Sequence, residues 1–249
     1  MKIQNFIFCW NEYVNSAFIL KRMLAPFGRT TVINSNVETF RETSLPSGWI
    51  NIADGYFAEQ WNTMLANIDG DTDYVFHMQA DAQCDADQMK ILFYRFREAA
   101  SQYKIGVFAP NVDYTPCVYD QKDLVKIPFA SNGLSSDLKY LYEVPCTDCT
   151  CWFINRKFMD KKPLFDLSVN HVGWGADFYY TAVAALAGYK TVRDYQVTID
   201  HPKKTTYNQD KAGEQFMKWL FTNDSEVFME MARLICRYSS IVKIPGIVC

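Results

Sequence analysis

The sequence has no long hydrophobic run, few histidines and no excess of positive charge. No window approaches the roughly 18 consecutive apolar residues of a membrane-spanning helix. The first residues, Met1 to Phe8, lack the pattern of a secretory signal peptide, so we expect a cytoplasmic protein. Lys and Arg together number 25, and Asp and Glu together number 28. The protein therefore lacks the global positive field of a dedicated nucleic-acid binder.

Repeats, low-complexity segments and Ser/Gly linkers are also absent, so we expect one domain over residues 1–249. Eight cysteines without a secretory signal favour reduced thiols over a disulfide framework. The cluster Cys146, Cys149 and Cys151 leaves a zinc site open as an alternative. Packed strand thiols are favoured, because a fourth ligand is not close in sequence.

Apolar periodicity predicts strands that alternate with helices. The strands are expected at 3–10, 29–33, 49–52, 74–78, 105–109, 140–144, 150–154 and 192–199, and the helices at 13–24, 56–68, 87–103, 176–187 and within 213–239. Such alternation predicts an α/β fold with a mostly parallel central sheet and C-terminal helices. Ligands of such sheets bind outside the carboxyl ends of the strands.

A carboxylate stands at one such strand end. The apolar strand around Phe76 runs into Gln79, Ala80 and Asp81, a place suited to a divalent cation beside a diphosphate. The alternative is that Asp81 caps the helix that starts near Asp85.

Other polar groups follow in order along the chain. They are Cys9, Trp10, Asn11 and Glu12 after the first strand, Asn34 and Asn36 after the second, Asn62 on a helix, Gln79-Ala80-Asp81, the loop from His171 through Gly173, Trp174 and Gly175 to Asp177, and His201 after a late strand.

In order and approximate spacing, these groups resemble the nucleotide-sugar glycosyltransferases of the GT-A fold, a Rossmann-like fold. The resemblance is to the large inverting family related to bacterial polysaccharide and chitin synthases, and it covers about residues 1–210. It implies a nucleotide-binding half at 1–110, an acceptor half at 111–212 and a helical C-terminal segment at 213–249.

The resemblance also implies roles for single residues. Those expected at the nucleotide sugar are Cys9, Trp10, Asn11, Glu12, Asn34, Asn36, Asn62, Gln79, Ala80 and Asp81. Those expected at the acceptor are His171, Gly173, Trp174 and Gly175. Asp177 is expected to be the catalytic base, with a helix N-cap as the alternative. Asp81 and His201 are expected to hold Mn²⁺ or Mg²⁺.

The chain departs from the family pattern at three motifs. Asn34-Ser35-Asn36 stands where an Asp usually contacts the base, Gln79 replaces the first Asp of the Asp-x-Asp motif, and Ala176 replaces the first acid before Asp177. An amide can still hydrogen-bond a ribose or offer a weak metal ligand. Of the remaining histidines, His77 lies within a strand and is expected in the core or behind the site.

The function implied is a hexosyl- or pentosyltransferase that moves a sugar from a UDP-sugar to an acceptor hydroxyl with inversion. A glycan or lipid-linked sugar is the expected acceptor, and the apolar stretch 227–248 would allow peripheral membrane association. One alternative is a hydroxymethylated base in phage-type DNA, in the host cytoplasm, because segments 76–82 and 109–114 are similar to phage-encoded transferases. Another is a degenerate sugar-nucleotide binding module without turnover.

Overall fold

The centre of the protein is a mixed β-sheet, in a computed structural model that describes residues 1–10, 13–35, 46–52, 55–112, 127–128, 140–160, 162–202 and 208–239. Its strands are β1 (Ile3–Cys9), β2 (Thr30–Asn34), β3 (Trp49–Asn51), β4 (Tyr74–Gln79), β5 (Ile105–Val112), β6 (Ile127–Pro128), β7 (Leu141–Glu143), β8 (Cys151–Asn155) and β9 (Lys190–Ile199). The helices are α1 (Val14–Leu24), α2 (Phe57–Ala66), α3 (Ala86–Gln102), α4 (Ala176–Leu186), α5 (Gln209–Asn223) and α6 (Ser225–Ser239). The α/β fold class expected from the alternation is confirmed.

The strand order explains where functional residues meet. It is β3-β2-β1-β4-β8-β5-β9-β7-β6. The first four of these strands are parallel, and β5 and β9 are also parallel. Strand β8 lies antiparallel between β4 and β5, and β7 and β6 extend the far edge in antiparallel pairs. Because β8 runs against β4, the residues that precede β8 lie beside those that follow β4.

Helices cover both faces of the sheet. On one face, α1 and α3 pack in an apolar cluster that includes Phe76, Phe93 and Phe153. On the other face, α2, α4, α5 and α6 surround Trp61 and Trp152. The sheet and the helices on its two faces therefore form three layers, and the central strands are apolar on both sides. None of the helices that the structure describes is long and apolar enough to cross a bilayer.

The start of α3 decides between two roles for Asp81. The N-cap of this helix is Asp85, whose carboxylate accepts hydrogen bonds from the backbone N–H groups of Asp87 and Gln88. The Gln88 side chain accepts in return from the Asp85 N–H, which completes a capping box. Asp81 is thus not needed as the cap, and its carboxylate is available to a site.

Some predictions fall outside the described residues. These are the nucleotide-binding roles of Asn11, Glu12 and Asn36, residues 113–114 of the phage-like segment, and residues 240–248 of the apolar C-terminal stretch. The division into a nucleotide-binding half, an acceptor half and a C-terminal segment also stays a prediction.

Candidate active site

Asp81 and His201 lie together at the carboxyl end of β4. The carboxylate Oδ2 of Asp81 is 3.4 Å from Nε2 of His201, and both side chains are largely buried. Asp81 follows the strand by two residues, and His201 follows β9 by two residues. The structure therefore brings together the two residues that the sequence predicts as metal ligands.

A short backbone bridge places the two segments side by side. The N–H of Gln83 donates to the carbonyl of Asp200 at 2.8 Å, and the N–H of Asp200 donates to the carbonyl of Gln83 at 3.0 Å. A buried ion pair between Arg95 of α3 and Asp194 of β9 anchors the strand that leads to this bridge, with N···O distances of 2.6 and 3.0 Å. The position of His201 beside Asp81 thus depends on backbone pairing and on a buried charge pair.

The atoms at this point fit part of a divalent cation site. Oδ1 of Asp81 is buried and has no hydrogen-bond partner among the described residues, which is costly for a carboxylate oxygen unless a cation or donor contacts it. A carboxylate oxygen and an imidazole nitrogen are both ligands that Mn²⁺ accepts. No group of three or more His, Cys, Asp and Glu side chains is arranged to hold a metal within the described part of the chain. A cation would therefore need further oxygens from a substrate.

Asp177 lies in the first turn of α4 and is buried, with 6% of its surface exposed. The N-cap is Gly175, so the sequence alternative of Asp177 as N-cap is wrong. One carboxylate oxygen, Oδ1, accepts from the N–H of Phe178 at 2.9 Å. A helix N-terminus favours the charged form of a carboxylate placed there.

The loop before α4 is held by its own side chains. Oδ1 of Asn170 accepts from the N–H of Gly173, and its Nδ2 donates to the carbonyl of Trp174 at 2.9 Å. Gly173 and Gly175 both have positive φ, at 86° and 100°. A Cβ at Gly175 would stand 2.1 Å from the Phe216 ring of α5, so only glycine fits there. This loop therefore presents Asp177 on a backbone whose shape depends on glycine.

Four predicted nucleotide-binding residues lie at the ends of β1, β2 and β4. Cys9 and Asn34 end neighbouring strands and are buried, and Trp10 is half-buried with its ring edge-on to Tyr13. Gln79 ends β4, and its N–H donates to the carbonyl of Thr150 at 2.9 Å. Their grouping at one sheet edge follows from parallel pairing, while nucleotide contact stays a prediction.

Helix α2 contributes to this edge through Gln60, which no sequence motif singles out. Nε2 of the buried Gln60 donates to the carbonyls of Cys9 and Ile33, at 2.9 and 3.1 Å, and so ties together the ends of β1 and β2. The predicted residue, Asn62, instead exchanges two hydrogen bonds with the backbone of Phe165. Its role at the nucleotide stays a prediction, but both ends of its amide already have protein partners.

His77 lies in the core behind the site, as expected. It is fully buried on β4, and its Nδ1 accepts from the indole N–H of Trp152 at 3.2 Å. The rings of Phe8, Phe57 and Trp61 pack around it. Burial lowers the pKa of His77 to about 3, so the imidazole is neutral at ordinary pH.

His171 is exposed in the loop before α4, next to an aromatic residue that was not predicted. Its ring lies edge-on to that of Tyr56, with centroids 5.3 Å apart. Tyr56 is 47% exposed at the start of α2. Acceptor contact at His171 stays a prediction.

The three clustered thiols lie at or before the start of β8. Cys146, Cys149 and Cys151 are free cysteines. Burial raises the pKa of the Cys149 thiol well above its ordinary value, and the carboxylates of Asp177 and Asp148 raise it further. Burial likewise raises the pKa of the Cys151 thiol well above its ordinary value. The thiols of Cys149 and Cys151 are therefore protonated and unreactive at ordinary pH. Asp148, a buried carboxylate in this segment, did not stand out in the sequence because it belongs to none of the recognised motifs.

Comparison with known proteins supports the fold. The sequence matches no protein-family model and no curated protein. Among solved structures, the chain is similar to GalNAc-T7, determined with UDP, GalNAc and Mn²⁺, with a TM-score of 0.59 and 11% sequence identity. The fold is that of the GT-A glycosyltransferases. The alignment covers 89% of this chain and 48% of GalNAc-T7, so the chain spans about half the length of that protein.

Proposed function

We propose that this GT-A protein is a glycosyltransferase that uses a UDP-sugar and a divalent cation. The observation that carries the proposal is the convergence of Asp81 and His201 at the carboxyl end of β4, where ligands of open α/β sheets bind. Oδ1 of Asp81 is buried and has no hydrogen-bond partner in the part of the chain that the structure describes, which supports a cation at this point. GalNAc-T7, a protein of similar fold, was determined with UDP, GalNAc and Mn²⁺, which supports the same class of ligand here.

The proposed reaction is a single displacement with inversion. Asp177 accepts the proton of an acceptor hydroxyl, and the hydroxyl oxygen forms a bond to the anomeric carbon. The bond from that carbon to the diphosphate breaks on the opposite side, and UDP leaves with the bonding electrons. Asp81 and His201 would hold Mn²⁺ or Mg²⁺, which supplies positive charge to offset the charge that develops on the diphosphate.

Burial of the site residues supports this assignment of roles. Asp81 and Asp177 are 7% and 6% exposed, so little water reaches either carboxylate. Exclusion of water strengthens electrostatic interactions in the site and limits hydrolysis of the donor. A carboxylate held at a helix start by glycine-dependent backbone is also fixed in orientation, as a positioned base must be.

The decisive experiment is donor hydrolysis. The protein is incubated with a panel of nucleotide sugars and Mn²⁺, and released nucleoside diphosphate is measured over hours. We expect slow hydrolysis of one or a few UDP-sugars, lost when the cation is chelated. Binding of nucleotide sugar with no hydrolysis and no transfer would instead identify a binding module and overturn the enzyme assignment.

The acceptor we propose is a glycan or lipid-linked sugar, as the resemblance implies. The alternative, a hydroxymethylated base in duplex DNA, requires contacts to phosphates and hence binding that weakens steeply with salt. An electrophoretic shift with duplex DNA, repeated at two salt concentrations, separates the two acceptors. A strong, salt-dependent shift would replace the glycan by DNA.

A further inference from the structure

Gln60 is a polar residue on the buried face of α2, where its neighbours are apolar. It is 1% exposed, and Ala58, Trp61 and Met64 of the same helix are fully buried in the apolar cluster of that face. Burial of an amide costs free energy unless its hydrogen bonds are made. The amide of Gln60 therefore needs partners, and these lie outside the helix.

The partners are carbonyl groups at the ends of two neighbouring parallel strands. Nε2 of Gln60 donates to the carbonyl of Cys9, the last residue of β1, at 2.9 Å, and to that of Ile33, next to the end of β2, at 3.1 Å. Cys9 and Asn34 form the last pair of the ladder between these strands. One NH₂ group thus joins the two strands at the point where their ladder ends.

Further hydrogen bonds join the same strand ends to their surroundings. The Cys9 carbonyl also accepts from the N–H and the hydroxyl group of Ser35, at 3.0 and 3.3 Å. Nδ2 of Asn34 donates to Oδ1 of Asn51, the last residue of β3, at 2.9 Å. Hydrogen bonds therefore connect the carboxyl ends of β1, β2 and β3, and Gln60 adds a helix to this network.

The strand order sets these ends at a distance from the proposed cation. Strand β1 lies beside β4, whose carboxyl end leads to Asp81, and β2 lies one strand further away. Neighbouring strands are about 4.8 Å apart, so the end of β2 lies roughly 10 Å from that of β4. A nucleoside diphosphate whose phosphates bind the cation extends over such a length with its ribose and base. The ends of β1 and β2 are therefore the place for the nucleoside.

We propose that Gln60 is a positioning residue for the nucleoside of the UDP-sugar. The proposal rests on the proposed function, which places the diphosphate at Asp81. Gln60 is buried and acts through the strand ends, whose spacing its two hydrogen bonds fix. Without these bonds the ends of β1 and β2 can move apart, and the nucleoside binds less tightly. Asp81 and Asp177 keep their places, since they follow β4 and begin α4.

The test separates donor binding from catalysis. Gln60→Met removes the donor group but keeps the length of the side chain. KM and kcat are measured for UDP-sugar hydrolysis with Mn²⁺, and the Kd of UDP is measured by calorimetry. We expect KM and Kd to rise about tenfold, as for the net loss of one or two hydrogen bonds. The value of kcat should change less than about twofold, because the reacting groups are not displaced.

Gln4→Met is the matched control. Gln4 is also 1% exposed, but it lies at the opposite end of β1, where its Nε2 donates to the carbonyl of Asn67 at 3.0 Å and its Oε1 accepts from the N–H of Asp69 at 2.8 Å. Urea denaturation should show a loss of unfolding free energy in both variants. Only Gln60→Met should raise KM. Gln60→Asn, whose amide is one methylene group too short to reach both carbonyls, is the second variant and should raise KM in the same way.

Three results would overturn the role of Gln60. They are a wild-type KM in both Gln60 variants, an equal rise of KM in Gln4→Met, and a fall of kcat at unchanged KM. The first two would leave Gln60 a structural residue only, and the third would place its effect at the reacting groups. A wild type that neither binds UDP nor hydrolyses a UDP-sugar would refute the proposed function itself, so the two failures are distinguishable.

Discussion

The carboxylate of Asp81 lies 3.4 Å from Nε2 of His201, although the two residues follow strands β4 and β9, which β8 and β5 separate in the sheet. A neutral imidazole and a carboxylate at this distance can share a divalent cation, whereas an exposed pair at the same distance contributes little. This pair differs from the surface ion pairs because it is buried and because Oδ1 of Asp81 has no partner among the residues whose structure is described.

Removal of either ligand should weaken cation binding. We expect Asp81→Asn and His201→Ala to reduce Mn²⁺ affinity, measured with UDP present, by at least about tenfold. Free Mn²⁺ is followed by electron paramagnetic resonance, which does not depend on activity. Asp87→Asn, a change in an exposed carboxylate of α3 that pairs with Lys90, is the control and should bind Mn²⁺ normally. Normal Mn²⁺ binding by both site variants would exclude them as ligands.

Loss of the proposed base should stop transfer without loss of the donor. In Asp177→Asn the amide oxygen can still accept from Phe178, so the local backbone is retained. We expect kcat for transfer to fall about a hundredfold to ten-thousandfold, while donor affinity changes less than about twofold. Single-turnover transfer and calorimetric donor binding give the two values. A kcat close to that of the wild type would show that another group accepts the proton.

Glycine at position 175 should be essential for the loop that carries Asp177. Gly175→Ala combines a positive φ with a Cβ 2.1 Å from the ring of Phe216. Gly188→Ala is the matched control, because Gly188 also has a positive φ, of 73°, but its Cβ would meet nothing within 4 Å. We expect about 1 kcal/mol of destabilisation in the control and about 2 to 4 kcal/mol at Gly175.

Urea denaturation of both glycine variants measures the difference. We also expect Gly175→Ala to lower kcat, since a displaced loop moves Asp177, while Gly188→Ala retains kcat. Equal losses of unfolding free energy in the two variants would mean that the Phe216 ring moves aside for the added methyl group without destabilising the fold.

The buried His77 should make stability depend on pH. Its pKa is lowered to about 3 in the folded protein by burial, with the Cys149 backbone opposing the shift in part, while the unfolded chain takes up the proton near 6.5. The unfolded state therefore binds more protons between these values, and the free energy of unfolding falls as the pH falls below about 6.5.

His77→Asn keeps an acceptor for the indole of Trp152 but does not titrate. Between pH 6.5 and 5 we expect the wild type to lose about 1 to 2 kcal/mol more stability than the variant. Urea midpoints at the two pH values provide the measurement. Parallel losses in the two proteins would show that His77 is protonated in the folded state as easily as in the unfolded state.

The parallel part of the fold and its edge were predictable because their signals are local. Apolar runs ending in polar residues mark β1 and β4, and parallel pairing then forces their carboxyl ends to one edge. Asp81 and His201 were predicted as partners by the resemblance to the GT-A family, in whose order of motifs they stand. Contact with the nucleotide could not be predicted in this way. The side chain of Asn62 hydrogen-bonds the backbone of Phe165, and the sequence does not tell whether a residue on a helix faces a ligand or another part of the chain.

The α/β class, the position of the polar strand ends and the residue types available there follow from the amino-acid order, since periodicity and chemistry are properties of short segments. The antiparallel position of β8 beside β4 and the hydrogen bonds by which Gln60 joins the ends of β1 and β2 became evident only in the folded chain. These relationships depend on contacts between distant segments, whose register is set by the packing of the whole sheet and not by any local pattern.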